Sequence, residues 1–307
     1  MNTVEIFNKE GLEFLSEVPD NSINLILTDP PYITSRETGM DKWVQHVAKQ
    51  DASDTPFKTE KHWEEFSKKM NWDEFFRERD REKKKRNLPT LKKNYLKYGS
   101  IYGKKYAVRT QYGAWDENFT LEKLNVFVGN FHRVLKPGGT CIIFFDLWKL
   151  SYLKEQLDSA TFKQLRFIEW IKTNPQPINS QRNYLTNCRE IALLAVKGAK
   201  PTFNSSYDKG IYDKGVYEYP IYGGKDRFHP TQKSLLLFED LIIKHSNEGD
   251  IVLDCFLGSG TTAAAALNTN RKFIGCELEK DYFEKSLERI NRLALKQKEL
   301  KLKENVV

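Results

Sequence analysis

Cysteine is scarce in this chain. Its 307 residues include only four, Cys141, Cys188, Cys255 and Cys276, far apart and without a C-x-x-C pair. That pattern excludes a disulfide-stapled fold and a zinc module, and it fits a reducing cytoplasm. The five histidines (His46, His62, His132, His229, His245) do not cluster, which gives no ground for a structural metal. Long apolar runs are also missing: the longest, such as 141–145, are strand-sized, whereas a membrane span needs about 20 residues. Residues 1–10 carry three charges and no apolar stretch, so no signal peptide is expected. The sequons at Asn118 and Asn204 are then without consequence, and a cytoplasmic protein without a membrane partner is predicted.

What is present is a globular composition, 39% hydrophobic and 30% charged, with its positive charge in one place. Residues 77–109 hold thirteen Lys/Arg against three acids, a local +10 in a chain whose net charge is +7. The rest of the chain is therefore at −3. Tyr95, Tyr98, Tyr102 and Tyr106 recur among those lysines, a mixture suited to a polyanion with stackable bases. A solvated basic loop has the same composition. The preceding stretch, 39–76, is polar, but Trp43, Trp63, Phe66, Met70, Trp72 and Phe75 are spaced for short amphipathic helices. Residues 33–112 thus read as an insert, helical and basic.

Outside the insert, strands and helices alternate as in a parallel α/β sheet. The pattern predicts strands at 4–7, 23–28, 140–145, 167–172, 190–196, 251–256 and 272–277. Helices are expected at 10–15, 120–135, 150–158, 234–245, 261–267 and from 281 to about 301. Lys136-Pro137-Gly138-Gly139 reads as a helix stop, and 179–228 as loop-rich.

Two turns carry chemistry. The first, Gly258-Ser259-Gly260-Thr261-Thr262, links a strand to a helix, so a ligand can approach the main chain and meet the free N–H groups of a helix start. Glu277 closes the next strand, where an acid can accept hydrogen bonds from a ribose. The third glycine of a dinucleotide fingerprint is replaced by Ala263 and no Walker lysine follows, which disfavours ATP. An NAD oxidoreductase and an S-adenosylmethionine enzyme both remain open on this turn alone.

The second turn, Asp29-Pro30-Pro31-Tyr32, ends a strand of pure core character. Each proline restricts the residue before it, so the turn offers two fixed acceptors, the Asp29 carboxylate and the Pro30 carbonyl, beside the Tyr32 ring. Two acceptors on an exocyclic amine favour a pyramidal nitrogen with its lone pair aimed at an electrophile. Ligands bind beyond the carboxyl ends of such sheets, so the two turns share one crevice if their strands are neighbours.

Together these residues resemble the β-order amino-group DNA methyltransferases, over 4–32, 113–178 and 229 to about 292. Further matches are Trp115-Asp116, Lys136-Pro137-Gly138-Gly139, Trp170-Ile171-Lys172 with Asn174-Pro175, and His229-Pro230-Thr231-Gln232-Lys233. Cys255 and Ser234 stand where the family usually has proline. The resemblance implies a Rossmann-like seven-stranded methyltransferase sheet in circularly permuted order. Its catalytic domain would comprise 1–32, 113–178 and 229–307, with a basic insert at 33–112 and a target recognition region at 179–228. The implied catalytic residues are Asp29, Pro30, Pro31 and Tyr32. S-adenosylmethionine would lie against Glu10, Lys233, Ser234, Asp254, Phe256, Leu257, Gly258, Ser259, Gly260, Thr261, Thr262 and Glu277. DNA contacts are expected from Lys84, Lys85, Arg86, Lys92, Lys93, Arg182 and Arg189, and from the loop cations Lys209, Lys214, Lys225 and Arg227. Tyr184, Tyr207, Tyr212, Tyr217, Tyr219 and Tyr222 would join them. The expected reaction is base flipping followed by direct in-line transfer to adenine N6, since Asp at 29 leans toward adenine and Ser there toward cytosine N4. Cytosine-N4 transfer and a catalytically idle DNA-binding relative are the alternatives. DNA, a cognate restriction endonuclease and a second copy of the chain are the implied partners, and the nucleoid the implied place.

Overall fold

The computed structural model describes residues 4–32, 47, 49–53, 55–81, 87–102, 119–175, 185–198, 200–224, 227–229 and 231–304. It divides into two compact units, Met1–Ile33 with Tyr112–Val307, and Thr34–Gln111. In the first unit the described strands are β1 (Val4–Asn8), β2 (Ile23–Thr28), β3 (Leu135–Phe145), β4 (Lys163–Lys172), β5 (Arg189–Val196), β6 (Val216–Tyr219), β7 (Ile251–Asp254) and β8 (Lys272–Glu277). They form one sheet in the order β1-β8-β7-β2-β3-β5-β4-β6. β5 runs antiparallel to both of its neighbours, while every other pairing is parallel. The sheet is therefore mixed where the alternation predicted a parallel one, and β6 adds an eighth strand inside the stretch read as loop.

Period-two alternation divides the apolar residues between two faces. Ile26, Cys141, Ile143 and Phe145 point to one face, covered by α1 (Gly11–Glu17), by α5 (Leu121–Val134) through Leu124, Phe127, Val128 and Phe131, and by α6 (Leu150–Ser159). Leu25, Leu27, Ile142 and Phe144 point to the other, under α7 (Leu235–His245), α8 (Thr261–Asn268) and Ile290 of α9 (Lys280–Glu304). Ala263 to Ala266 are all fully buried, so α8 lies close against its neighbours.

The expected helix stop at 136–139 has a different form. Helix α5 already ends at Val134, and Leu135 turns into extended backbone as the first residue of β3. The β2–β3 register then slips between Ile23↔Leu135 and Leu25↔Thr140, so Lys136 to Gly139 make an irregularity within the ladder. Gly138 (φ +84) is required there: a Cβ would meet the Lys200 carbonyl oxygen at 2.5 Å.

The second unit contains α2 (Glu60–Lys68), α3 (Trp72–Arg81) and α4 (Leu88–Tyr98). Local signals start and stop them. Thr59 and His62 form a capping box on α2, Asn87 caps α4 through the Thr90 amide (3.0 Å), and Gly99 (φ +74) ends it. Trp63, Leu91 and Ile101 are its buried core, with Tyr95 stacked on Phe66 at 4.5 Å. The Tyr98 hydroxyl donates to Asp51 (2.7 Å). The tyrosines read as a stacking platform are thus spent on packing: Tyr95 and Tyr102 lie against this core and Tyr98 is buried. Tyr106 and Trp43 fall outside the described residues. Truncating Trp63 to Ala removes the centre of this cluster, at about 3–5 kcal/mol for a buried aromatic ring. Hydrogen exchange should then lose protection across 60–98 and keep it across 251–277; equal loss in both would show one cooperative unit.

Candidate active site

Strands β2 and β7 are direct neighbours (Leu25↔Val252, Ile26↔Leu253), so the two chemical turns leave the same edge of the sheet side by side. From β2 the chain goes on to β3, and from β7 to β8 on the opposite flank, so this is a topological switch point. Asp254, the last residue of β7, fixes the pair. Its buried Oδ1 accepts from the Thr28 hydroxyl (2.6 Å) and the Phe256 amide (2.9 Å), and Oδ2 accepts from the Thr262 hydroxyl (2.6 Å). Asp254 and Thr262, both expected at the cofactor, thus also brace the turn.

The turn itself is shaped by Gly258 (φ +53) and Gly260 (φ +74), the latter preceding α8. A Cβ on Gly258 would approach His229 Nε2 at 3.3 Å, and the His229 ring lies edge-on to Tyr282 at 4.5 Å. Burial lowers the His229 pKa to about 4, so this imidazole is neutral. Arg289 of α9 donates to the Ser259 carbonyl (2.7 Å) and the Thr261 hydroxyl (3.3 Å). Leu257 is buried on the α7–α8 face, and Phe256 packs on Phe119 (5.4 Å) and Phe127 (4.8 Å). Of the predicted cofactor residues, Phe256, Leu257, Ser259, Thr261 and Thr262 thus build the turn's frame.

Glu277 ends β8 next to it. Its Oε2 accepts from the Gly258 amide (2.7 Å) and its Oε1 from the Glu279 amide (2.9 Å). Burial raises its pKa above the ordinary carboxylate value. Each oxygen retains one acceptor site, as hydroxyl recognition requires. Glu10 lies beyond β1, whose Asn8 is opposite Glu277. Its carboxylate caps α1 through the Leu12 amide (2.6 Å) and pairs with Lys123 (2.9 Å). Two side-chain-free residues and a buried acid with acceptor capacity fit a nucleoside cofactor carrying ribose hydroxyls.

On the β2 side, Pro30 and Pro31 are buried, and Tyr32 sets its ring edge against Phe145 at 6.2 Å. Asp29 is met by a charge that the sequence had placed with the cofactor. The Lys233 ammonium lies 2.7 Å from Asp29 Oδ2 and 2.8 Å from Glu190 Oε2, and the Lys172 ammonium 2.6 Å from Glu190 Oε1. The Lys233 ammonium also lies over the Tyr32 ring at 5.6 Å. Burial raises the Asp29 pKa to about 6, and Lys233 restrains it from going higher. Burial works against the charge on Lys233 as well, but Asp29 and Glu190 outweigh it and keep the ammonium charged. Among the described residues, Asp29 Oδ1 and the Tyr32 hydroxyl are buried and form no close hydrogen bond, yet the two groups interact, and the hydroxyl draws the Asp29 pKa down. Ser234, also buried, precedes α7.

The residues expected to contact DNA fall in both units or outside the described residues. Lys92 pairs with Glu60 (2.7 Å) and Lys93 is exposed on α4, in the second unit. Arg189 pairs with Glu169 (3.2 Å), and Arg227 donates to the His229 carbonyl (3.3 Å). Tyr217 and Tyr219 pack against the core, with the Tyr219 hydroxyl on Asp240, while Tyr207 and Tyr212 remain exposed beside Lys209 and Lys214. Tyr222 carries the Arg289 guanidinium over its ring at 6.0 Å. Lys84, Lys85, Arg86, Arg182, Tyr184 and Lys225 lie outside the described residues.

A sheet open at its switch point, with a glycine turn on one strand and a charged acid corner on the next, fits a protein that binds a nucleoside cofactor beside a reacting group. The DNA methylase family model matches residues 23–288, and the chain belongs to that N6/N4 DNA methylase family, whose methyl donor is S-adenosylmethionine. It is 33% identical over 194 residues to the Type II methyltransferase M2.LlaDCHI of Lactococcus lactis subsp. cremoris, an alignment covering 59% of this chain and 72% of that protein. To the Type II methyltransferase M2.DpnII of Streptococcus pneumoniae it is 34% identical over 192 residues, 58% and 71% of the two chains. The fold is similar to that of the M1.HpyAVI–SAM complex (TM-score 0.57, 24% identity, covering 94% and 100%). It is also similar to that of the PvuII cytosine-N4-specific DNA methyltransferase (TM-score 0.59, 16% identity, covering 95% and 92%).

Replacing Asp254 by Ala would leave two hydroxyls and one amide without their acceptor, at about 3 kcal/mol in total. The melting temperature should fall by about 6–12 °C, and Asp254→Asn, which keeps one acceptor oxygen, by less. A fall under 2 °C for Ala would show that the brace contributes little.

Proposed function

We propose that this protein transfers a methyl group from S-adenosylmethionine to the N6 amino group of adenine in DNA, with the target base turned out of the duplex. One observation carries the reading: just past the strand beside the glycine turn, Asp29 holds a buried oxygen that forms no close hydrogen bond among the described residues and shares its pocket with the Tyr32 hydroxyl. When bound, the cofactor supplies an electrophilic methyl group on a sulfonium. The chain's own groups prepare the amine. Asp29 Oδ1 accepts one N–H of the exocyclic nitrogen, and the Pro30 carbonyl, rigid between two rings, is the second acceptor. Holding both hydrogens withdraws the nitrogen lone pair from the ring and gives it a direction. As positive charge builds on that nitrogen, the carboxylate stabilises it in a site with little water to compete. Tyr32 offers its ring to the flipped base, a contact of about 1–3 kcal/mol. Glu277 takes the ribose hydroxyls on its remaining acceptor sites.

Adenine is favoured over cytosine by the carboxylate at position 29, where the resemblance associates serine with cytosine N4. Nucleosides from DNA treated with the protein should contain 6-methyladenine and no 4-methylcytosine by mass spectrometry. The reverse would assign the cytosine reaction. Asp29→Ala should bind S-adenosylmethionine within a few-fold of the parent and lose at least about 100-fold in transfer rate. Equal transfer by the two proteins would sink the role of Asp29.

Exposed cations of the insert and of residues 185–224 are assigned to the phosphate backbone. Kinship to Type II methyltransferases supports a cognate restriction endonuclease as partner, and a homodimer and a nucleoid location are proposed on the same resemblance. Because α4 belongs to a packed core, its lysines are best tested by substitution. Lys92→Gln with Lys93→Gln should flatten the slope of log K against log salt by about 1 for each lysine on a phosphate. An unchanged slope would make both lysines structural.

A further inference from the structure

Four charged side chains from four parts of the first unit alternate in sign through the rim of the site: Lys172 at the end of β4, Glu190 near the start of β5, Lys233 before α7, and Asp29 after β2. A lysine arm has four rotatable bonds, and one carboxylate at its tip does not fix it. Here the ammonium lies between two acids, 2.7 Å from Asp29 and 2.8 Å from Glu190 Oε2, the second an ion pair without hydrogen-bond geometry, and its side chain is 8% exposed. Glu190 is itself fixed by Lys172 at 2.6 Å. The sheet makes this possible: β5 runs against β4, with Trp170 opposite Glu190, so Lys172 reaches back to the acid.

We propose that Glu190 is a positioning residue for methyl transfer: by holding the Lys233 ammonium against Asp29, it keeps the reacting carboxylate charged in mildly acidic solution. This rests on the reading of Asp29 as the acid that receives the target amine. The groups facing Asp29 are Lys233, Glu190 and Tyr32; Lys172 faces Glu190, and the neutral His229 lies near Lys233. Glu190 acts on Asp29 in two opposed ways. As a like charge it disfavours the charged acid, and as the holder of Lys233 it favours it. With the ammonium in place, the charge on Glu190 itself pushes the Asp29 pKa up. On the proposed reading, losing the hold on Lys233, which stands between the two acids, costs the charged Asp29 more than that repulsion does.

The opposition in sign makes a test. Single-turnover transfer, at saturating S-adenosylmethionine and DNA duplex, is followed from pH 5 to pH 8. The rate should fall on the acid side as Asp29 takes up its proton. Glu190→Gln should move that limb up by about one pH unit, a roughly tenfold lower rate at the acid end. In a Lys233→Met background, where only the like-charge effect remains, adding Glu190→Gln should leave the limb in place or move it down. A downward shift or no shift on the parent background, with transfer intact, overturns the proposal and leaves the methyltransferase reading standing. Absence of transfer by the parent protein would instead overturn that reading. If Glu190→Gln fails to fold by thermal melting, Glu190→Asp serves: the charge stays on a shorter arm, and the limb should rise by a smaller amount. No rise there also overturns it.

Discussion

The bond from Thr28 to Asp254 is the constraint on which the site depends. Strand pairing sets β2 beside β7, but a ladder alone says nothing about the turns that leave it. Asp254 couples them, since one carboxylate receives the last residue of β2, the first amide of the glycine turn and a hydroxyl on the first turn of α8. A movement of either turn must break a hydrogen bond to a buried charge, which is among the stronger kinds a protein makes. The in-line transfer proposed above requires the amine and the methyl donor to be aligned closely, and on that reading this carboxylate supplies part of the alignment before anything binds. Its own pKa is raised by burial, and the three donors offset that penalty.

The second constraint is charge balance. Lys172, Glu190, Lys233 and Asp29 sum to zero, and each inner member touches two partners of opposite sign. Taking ions out of water is costly, and a single buried pair often gains nothing. A neutral chain that ends at a reacting carboxylate is a different object. It occupies one oxygen of Asp29 and leaves the other to the side of the Tyr32 hydroxyl, so that on the proposed reading stability and reactivity are divided between two atoms of one group.

Much of this was legible in the sequence, and for definite reasons. Strand and helix positions followed from period-two and helical spacing, because each sheet face buries one set of alternating residues. The turns at 29–32 and 258–262 stood out because prolines and glycines restrict or release the backbone locally. What escaped was long-range. Glu190 and Lys172 had no visible relation, since their meeting depends on the reversed direction of β5. Each does share a face with core residues, Glu190 with Ala192 and Leu194, Lys172 with Trp170 and Ile168. A charge in phase with a buried stripe was the signal available. The resemblance placed Lys233 near the cofactor, and its contact with Asp29 was not visible in the sequence. The insert's tyrosines were misread for a related reason: composition cannot distinguish a ring offered to a base from one stacked on Phe66.

On the proposed reading, Asp29 has to satisfy two demands that pull its proton affinity in opposite directions. To stabilise a nitrogen becoming positive it must be charged at neutral pH, which favours a low pKa. To accept the proton that nitrogen sheds once it has been methylated, it must bind that proton with useful strength, which favours a high one. Burial alone would carry the acid far up, and full pairing in water would carry it down. Buried, with an ammonium on one oxygen and the Glu190 carboxylate and Tyr32 hydroxyl nearby, it comes to about 6, just below neutrality. The ammonium and the target amine do not compete, because they use different oxygens. The same arrangement that neutralises the acid in the resting site therefore leaves it able to receive substrate and, one step later, a proton.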